Sequence, residues 1–341
     1  MNRKKLYKVV LAHVIMLGSV LPFLSCEKHL LAPDPPADPG NVFEYLWEDV
    51  YKRYALFEVK DIDWVAVGNT FRTKVHPGMD DQALFSVLSD MLYELRDGHV
   101  NLTSSFDRSR NWEWFQGHLP NYNQSIIENR YLGTSFRITG PLLNQVIDSV
   151  LYVNYRSFGD EITQSHLDQL MLRAEGLKGV IIDIRHNGGG SLQNANRLAA
   201  CFADRTYVYA HDRIKTGPGP DDFSHWRPLS VAPRQGMRFG GPVVVLVNRR
   251  SYSASSFFAQ MMRVMPHAVL IGDQTGGGGG IPVFGELPNG WKYRFSSTQT
   301  LTPEGNHIET GVPVDIRRNM QSIEELHGID SILETALDWL R

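Results

Sequence analysis

The pattern of hydrophobic and polar positions divides the chain into regions of different periodicity. Over residues 41–103, apolar side chains recur at helical spacing, as with Phe43, Leu46 and Val50. A second apolar stripe at the same spacing runs through residues 84–95. The pattern predicts a small N-terminal helical domain over residues 41–103.

The pattern changes from about residue 148, where short Val- and Ile-rich runs alternate with helix-like stretches. The runs SVLYVNY, GVIIDIR, PVVVLVN and AVLIGD predict strands, and amphipathic segments between them predict helices. Such alternation is typical of an α/β fold with a largely parallel sheet, so we predict a core domain over residues 148–341. Residues 104–147 are poorly periodic and are interpreted as a connecting segment. A closing helix is expected from Ser322 to Arg341.

The start of the chain has the features of a secretory leader. Basic residues precede an apolar run, and small Ser25 stands just before Cys26. The alternative, a single membrane span, is disfavoured because the run from Val9 to Leu24 is short and contains Pro22. We expect a leader over residues 1–25, lipidation of Cys26 and a proline-rich tether over residues 26–40. The expected localisation is the cell envelope, with a lipid anchor in a membrane.

Composition adds three expectations. The 341 residues carry a net charge of -3, which gives no electrostatic footprint for nucleic acid. Only two cysteines are present, and lipidation of Cys26 would leave Cys201 without a disulfide partner. We find no metal-ligand cluster and no cofactor-binding loop in the sequence, so we expect neither a metal nor a cofactor.

A glycine-rich turn, HNGGGS, follows the predicted strand GVIIDIR. Glycines leave backbone amides bare, and bare amides at a helix start bind anions. The anion would be a phosphate or the oxyanion of a tetrahedral intermediate, and a plain tight turn is the third alternative. The spacing is not that of a dinucleotide-binding turn, and no lysine follows as in a P-loop.

A serine-rich turn, RRSYSASS, follows the predicted strand PVVVLVN. A serine at a helix start is either an N-cap or an exposed nucleophile, and this motif alone leaves both readings open. The carboxyl ends of neighbouring parallel strands meet at one sheet edge. We therefore expect the glycine turn and the serine turn to lie side by side, with their amides around one oxyanion.

Four motifs in order resemble the tail-specific, or C-terminal processing, peptidase family: LRDGHVNL, GVIIDIRHNGGG, LVNRRSYSASS and LTPEGNHIETGVPVDI. The resemblance covers nearly the whole chain after residue 41. It implies a crotonase-like α/β core and serine peptidase activity. Matching the motifs implies that Ser253 is the nucleophile and that the amides of Gly189 and Ala254 form the oxyanion hole.

The resemblance also indicates the base. The processing branch uses a lysine 25 residues after the nucleophile, where this chain has Gly278, and the first later lysine is Lys292. The tricorn-core-like branch uses a histidine and a glutamate, which match His99 and Glu309. In that arrangement the imidazole takes the serine proton and the carboxylate orients the imidazole. His186, beside the glycine turn, is the rival base.

Too few residues separate the histidine motif from the α/β core for the PDZ module that many family members carry, so selection would fall to the active-site cleft. Arg249 or Arg250 is a candidate for binding a substrate carboxylate, the alternative being a solvated loop charge. The expected partner is a peptide or an unfolded protein. The rival hypothesis is a peptide-binding lipoprotein of the same fold without peptidase activity, and a weaker one is an acyl-CoA enzyme of crotonase type.

Overall fold

The computed structural model describes residues 36–341, and Asp38–Arg341 form one compact unit. The predicted leader, Cys26 and most of the tether lie outside the described residues. The tether ends earlier than expected, because the Asp38 side chain accepts a hydrogen bond from the Asn41 amide and caps a helix that begins at Pro39. Over residues 36–341, no helix is both long enough and apolar enough to span a membrane.

The helices are short and most begin at a polar cap, such as Asp63, Asp80 or Thr163. A π-helical turn at Ile127–Leu132 and a 3₁₀ turn at Ile308–Thr310 complete the helical elements of the described residues. In chain order the α-helices are α1 (Pro39–Arg53), α2 (Trp64–Arg72), α3 (Asp81–Tyr93), α4 (Gln124–Ile126), α5 (Gln164–Ala174), α6 (Leu192–Ala199), α7 (Ala254–Arg263), α8 (Ser322–Leu326) and α9 (Ser331–Leu340).

The strands fall into three sheets. In chain order they are β1 (Asn101–Thr103), β2 (Arg137–Thr139), β3 (Leu142–Ile147), β4 (Val150–Tyr155), β5 (Gly179–Asp183), β6 (Tyr207–Ile214), β7 (Arg227–Val231), β8 (Val243–Val247), β9 (Ala268–Gly272), β10 (Pro282–Glu286), β11 (Lys292–Ser296), β12 (Thr298–Leu301) and β13 (Ile316–Arg317).

The largest sheet has the order β13-β9-β8-β5-β4-β3-β2. The pairs from β13 to β4 are parallel, and β3 and β2 extend the sheet with antiparallel pairs. This confirms the mixed α/β class. The sheet starts earlier than predicted, because β2 and β3 lie in the segment 104–147 that we interpreted as a connector. Their alternation of buried and exposed positions is too short to stand out in the sequence.

Both faces of this sheet are covered, which explains its continuous apolar strands. Val243 and Val245 face the core that contains α5, α6 and α7, whereas Val244 and Leu246 face the core that contains α9. Side chains of a strand alternate between the two faces. The predicted closing helix is divided into α8 and α9, since Gly328 has a φ of 72° and Asp330 caps a new helix.

The N-terminal helices do not form a separate domain, contrary to the prediction for residues 41–103. Their apolar faces share one hydrophobic core with Tyr293 and Phe295 of β11 and with Leu102 of β1. β11 lies between β1 and β10 in an antiparallel sheet. A further antiparallel sheet, β12-β6-β7, has no counterpart in the sequence-based prediction.

Candidate active site

Ser253 stands between β8 and α7 in an unusual backbone conformation. Its φ is 56°, and its side chain makes no capping hydrogen bond to α7. Non-glycine residues with positive φ are uncommon and often mark functional sites. The N-cap alternative therefore does not describe this serine, whose hydroxyl points elsewhere.

The other three serines of the turn have structural partners. The Ser251 hydroxyl donates to the Ile184 carbonyl at 2.9 Å, and the Ser255 hydroxyl donates to the Asn187 carbonyl at 2.7 Å. The Ser256 hydroxyl contacts backbone and side-chain oxygens of the segment that follows β9. All three are buried. Only Ser253 has a hydroxyl that faces the cleft.

The structure places His99 beside Ser253, with its Nε2 atom 2.9 Å from the Ser253 Oγ atom. Burial lowers the pKa of His99 to about 4; nearby Asp97 opposes this shift, and the cations of Arg294 and Lys60 add to it. The imidazole is therefore neutral at pH 7. A neutral Nε2 atom at this distance can accept the hydroxyl proton.

Asp97, two residues before His99, helps to hold the histidine loop. One of its oxygens accepts the His99 backbone amide at 2.7 Å, and the other accepts the Tyr54 hydroxyl at 3.2 Å. The His99 ring lies 5.0 Å from that of Tyr252, which stacks on Trp114 at 4.1 Å. These contacts limit the rotation of the imidazole.

Glu309 is close to this site but does not contact the imidazole as predicted. Its carboxylate lies 2.8 Å from the Lys60 ammonium and accepts the Gly280 amide at 3.4 Å. It forms no ion pair with His99, and the buried Nδ1 atom of His99 has no hydrogen-bond partner among residues 36–341. Lys60 is a cation within ion-pair distance of the carboxylate, whereas the neutral His99 imidazole offers it no charge.

Lys60 is the residue that sequence reasoning missed. Its side chain is only 15% exposed, and it also donates to the Arg96 carbonyl at 3.0 Å. Burial lowers the pKa of Lys60, but the carboxylates of Glu309 and Asp97 outweigh burial and raise it. No motif marks this lysine, because its partner lies far away in the sequence.

The glycine turn packs directly against the serine turn, as expected. Gly189 has a φ of 97°, and a Cβ atom placed on it would lie 2.6 Å from the Tyr252 carbonyl oxygen and 3.0 Å from the Ala254 nitrogen. No other residue fits this contact. The Gly189 amide, however, donates to the Asn187 Oδ1 atom at 3.0 Å. This amide is therefore occupied in the structure, and its role as an oxyanion donor stays a prediction.

Two other amides at this junction are free. The amides of Ala254 and Gly188 donate to no acceptor among the described residues, and Gly188 lines the cleft. Gly188 is exposed whereas Gly189 is buried. The geometry thus agrees with Ala254 as a donor and favours Gly188 over Gly189 as the second.

Asn187 braces the glycine turn. In addition to accepting the Gly189 amide, it donates to the Tyr155 carbonyl at 2.9 Å and accepts the Phe158 amide at 3.4 Å. Arg185 is fully buried between Asp183 and Asp330, at 2.7 Å and 2.9 Å. These residues support the backbone and do not face the cleft.

The alternative bases are not placed to act on Ser253. Gly278, at the position of the lysine in the processing branch, has a φ of 76°, and a Cβ atom on it would lie 2.5 Å from the Tyr252 ring. A lysine does not fit there. His186 lines the cleft, but it stacks on Tyr122 at 5.0 Å and makes no hydrogen bond to Ser253.

Ser253 and His99 open into a cleft of about 500 Å³. Arg250 lines this cleft, with its guanidinium 4.2 Å from the centre of the Phe115 ring. Arg249 does not line it, because its side chain turns to Asp273 at 3.4 Å. Of the two arginines proposed to bind substrate, only Arg250 is positioned to do so. Aromatic side chains form much of the wall: Trp112, Trp114, Phe115, Tyr252, Phe257 and Phe284.

Comparison with known proteins identifies the family. The model of peptidase family S41 matches residues 149–318, and the tricorn protease C1 domain matches residues 35–93. A crystal structure from Parabacteroides merdae, named "putative peptidase", is 37% identical and has a TM-score of 0.84, covering 89% of this chain and 97% of that one. The chain belongs to peptidase family S41. The sequence resemblance is confirmed at this level, and the chain is classed with the serine peptidases.

Other similar proteins share less sequence identity with this chain. The "Probable CtpA-like serine protease" of Staphylococcus epidermidis is 26% identical over 170 residues, which are 49% of this chain and 33% of that protein. The match thus spans about a third of the length of the curated relatives. Mature CPAF shares the fold, with a TM-score of 0.67, 12% identity, and coverage of 89% of this chain and 96% of that one. The photosystem II D1 C-terminal processing protease also shares it, with a TM-score of 0.57, 17% identity, and coverage of 83% of this chain and 94% of that one.

Proposed function

We propose that this S41 member is a serine endopeptidase that cleaves peptides or protein tails with Ser253 as the nucleophile and His99 as the base. The observation that carries the proposal is the 2.9 Å contact between Ser253 Oγ and His99 Nε2. The aligned motifs and the crotonase-like interpretation of the α/β core support the same assignment.

In the proposed reaction, His99 takes the hydroxyl proton as Ser253 attacks the scissile carbonyl. The oxyanion that forms accepts hydrogen bonds from the amides of Ala254 and Gly188. His99 then gives the proton to the leaving amine, and water resolves the acyl-enzyme by the same steps. The charge of Asp97 stabilises the imidazolium, and Glu309 positions the histidine loop through Lys60.

The test is labelling by a fluorophosphonate and cleavage of a mixed peptide library. Wild type should be labelled and active, and Ser253→Ala should lose labelling and roughly 10⁴-fold or more of its activity. Ser255→Ala is the matched control and should keep labelling. Equal behaviour of wild type and Ser253→Ala would favour the rival, a peptide-binding protein without peptidase activity.

We also propose that the protein is lipid-anchored at the cell envelope through Cys26. The support is the leader-like pattern that ends at this cysteine. Metabolic labelling with a radioactive fatty acid should mark the wild-type chain, and Cys26→Ser should abolish the label. Equal labelling of both chains would reject the anchor.

A further inference from the structure

A groove lined by cations adjoins the active-site cleft. Its volume is about 260 Å³, and Arg110, Arg294 and Phe284 line both the groove and the cleft. We call this cavity the cationic groove, and its four cationic side chains are Arg108, Arg110, Lys292 and Arg294. No acidic side chain is among the residues that line either cavity.

The four cations of the cationic groove lack the carboxylate partners that most other arginines of the described chain have. Arg227, for example, pairs with Asp212 at 2.6 Å. In contrast, no ion pair of residues 36–341 includes a member of the groove. Arg108 donates only to the Thr103 hydroxyl, and Arg110 lies over the Trp112 ring. The acidic residue opposite Lys292 in the sheet, Glu286, forms no ion pair with it and does not line the groove.

Arg294 is the central member of the cationic groove. Its buried Nε atom has no acceptor among the described residues. Burial lowers the pKa of Arg294, the charges of Arg110 and Arg108 lower it further, and Tyr252 and Asp97 act in the opposite direction. A guanidinium does not lose its proton in proteins. A bound anion would relieve this repulsion and would offer the Nε atom an acceptor.

We propose that the cationic groove binds a carboxylate of the substrate, either an Asp or Glu side chain or the free C-terminus, and thereby selects acidic peptides for cleavage. Guanidinium groups bind carboxylates through two parallel charge-assisted hydrogen bonds. Because the groove shares Arg110 and Arg294 with the cleft, a chain held there reaches Ser253. The inference deepens the proposed function and rests on it.

The first experiment measures binding, so that it does not depend on catalysis. Binding to Ser253→Ala is measured by fluorescence anisotropy with three labelled peptides. The first has two Glu residues and an amidated C-terminus, and the second has Gln in place of Glu. The third is the Gln peptide with a free C-terminus. We expect a carboxylate-bearing peptide to bind ~10-fold more tightly than the neutral one. The preference should weaken with added salt. The two charged peptides distinguish a side-chain carboxylate from a terminal one.

Substitutions then test whether the cationic groove causes the preference for carboxylate-bearing peptides. Arg294→Met and Arg110→Met should each lower the ratio of charged-peptide to neutral-peptide affinity toward 1. Arg294→Lys should restore part of the preference, and Arg205→Met, an exposed arginine outside the groove, should leave it intact. When Ser253 is present, the ratio of kcat/KM for the charged peptide to that for the neutral peptide should change by the same factor in each variant.

Equal binding of the three peptides, or a preference that Arg294→Met and Arg110→Met leave intact, would overturn the inference. So would displacement of the Glu peptide by an equal concentration of a thymidine oligonucleotide, which would indicate a nucleic-acid site. Tight carboxylate-dependent binding without any cleavage by wild type would instead keep the groove and reject the proposed peptidase activity.

Discussion

Lys60→Met tests whether the buried pair of Lys60 and Glu309 holds the site together. The two side chains are 15% and 5% exposed, and their charged atoms are 2.8 Å apart. Methionine keeps the apolar stem and removes the charge, together with the hydrogen bond to the Arg96 carbonyl. The variant leaves the Glu309 carboxylate buried with no cation, a change that typically costs about 3–5 kcal/mol.

Protonation of Glu309 limits this loss, and the limit depends on pH. The ordinary pKa of a glutamate is 4.5, so keeping the carboxyl neutral costs about 3 kcal/mol at pH 7 and less than about 1 kcal/mol at pH 5. Burial already raises the pKa of Glu309 in the wild type, although Lys60 acts against this shift, and removal of Lys60 raises the pKa further. Stability relative to wild type is therefore retained near the unfolded pKa and is lost as pH rises above it.

The measurement is urea unfolding followed by tryptophan fluorescence at pH 5 and pH 7. We expect Lys60→Met to unfold with a free energy about 3 kcal/mol below wild type at pH 7, and a much smaller deficit at pH 5. The double variant Lys60→Met, Glu309→Gln removes both charges of this pair and should recover most of the loss. A deficit that is equal at both pH values, or that the double variant does not reduce, would refute the reasoning.

Three further predictions concern the catalytic turn. Because burial lowers the pKa of His99 to about 4, and the base must be neutral, kcat/KM should stay level from pH 7.5 to pH 5.5 and fall only near pH 4; a fall near pH 6.5 would contradict this burial. Gly189→Ala adds a Cβ atom 2.6 Å from the Tyr252 carbonyl oxygen, at a residue whose φ is 97°. The variant should therefore have a lower melting temperature and lose fluorophosphonate labelling. Normal labelling would contradict the close packing of the two turns. Ser255→Ala leaves the Asn187 carbonyl without its hydroxyl donor and should cost about 1–3 kcal/mol of unfolding free energy while kcat changes little; a loss of activity as large as that of Ser253→Ala would show that the serine roles are wrongly divided.

Much of the central sheet could be predicted from the sequence, because its strands carry local signals. β5, β8 and β9 are continuous apolar runs bounded by turns, and each was expected at its observed place. The contact between the glycine and serine turns followed from the rule that strand ends meet at one edge. By contrast, β2 and β3 are short and half-exposed, and no periodic pattern marks them.

The parts of the site that sequence reasoning missed depend on distant chain crossings. The sequence predicts that Glu309 orients His99, but in the structure the Glu309 carboxylate forms an ion pair with Lys60 at 2.8 Å. Gly189 was expected to donate to the oxyanion, but the Asn187 side chain occupies its amide. A sequence motif shows which residue types are present. The hydrogen-bond or ion-pair partner of each polar atom depends on contacts between distant parts of the chain, which a local pattern does not predict.

The proposed catalytic pair, Ser253 and His99, lies where two separate hydrophobic cores meet. Ser253 is followed by Ala254 and Phe257, which belong to the core of the parallel sheet. His99 lies between Leu95 and Leu102, which belong to the core of the N-terminal helices and β11. The 2.9 Å contact of the two side chains therefore depends on how these cores meet. The buried pair of Lys60 and Glu309 links residues 60 and 309 across this boundary. A small displacement of a base can cost orders of magnitude in rate. If His99 is the base, as proposed, we therefore expect loss of the pair to lower the rate by moving His99, without any contact between the pair and the substrate.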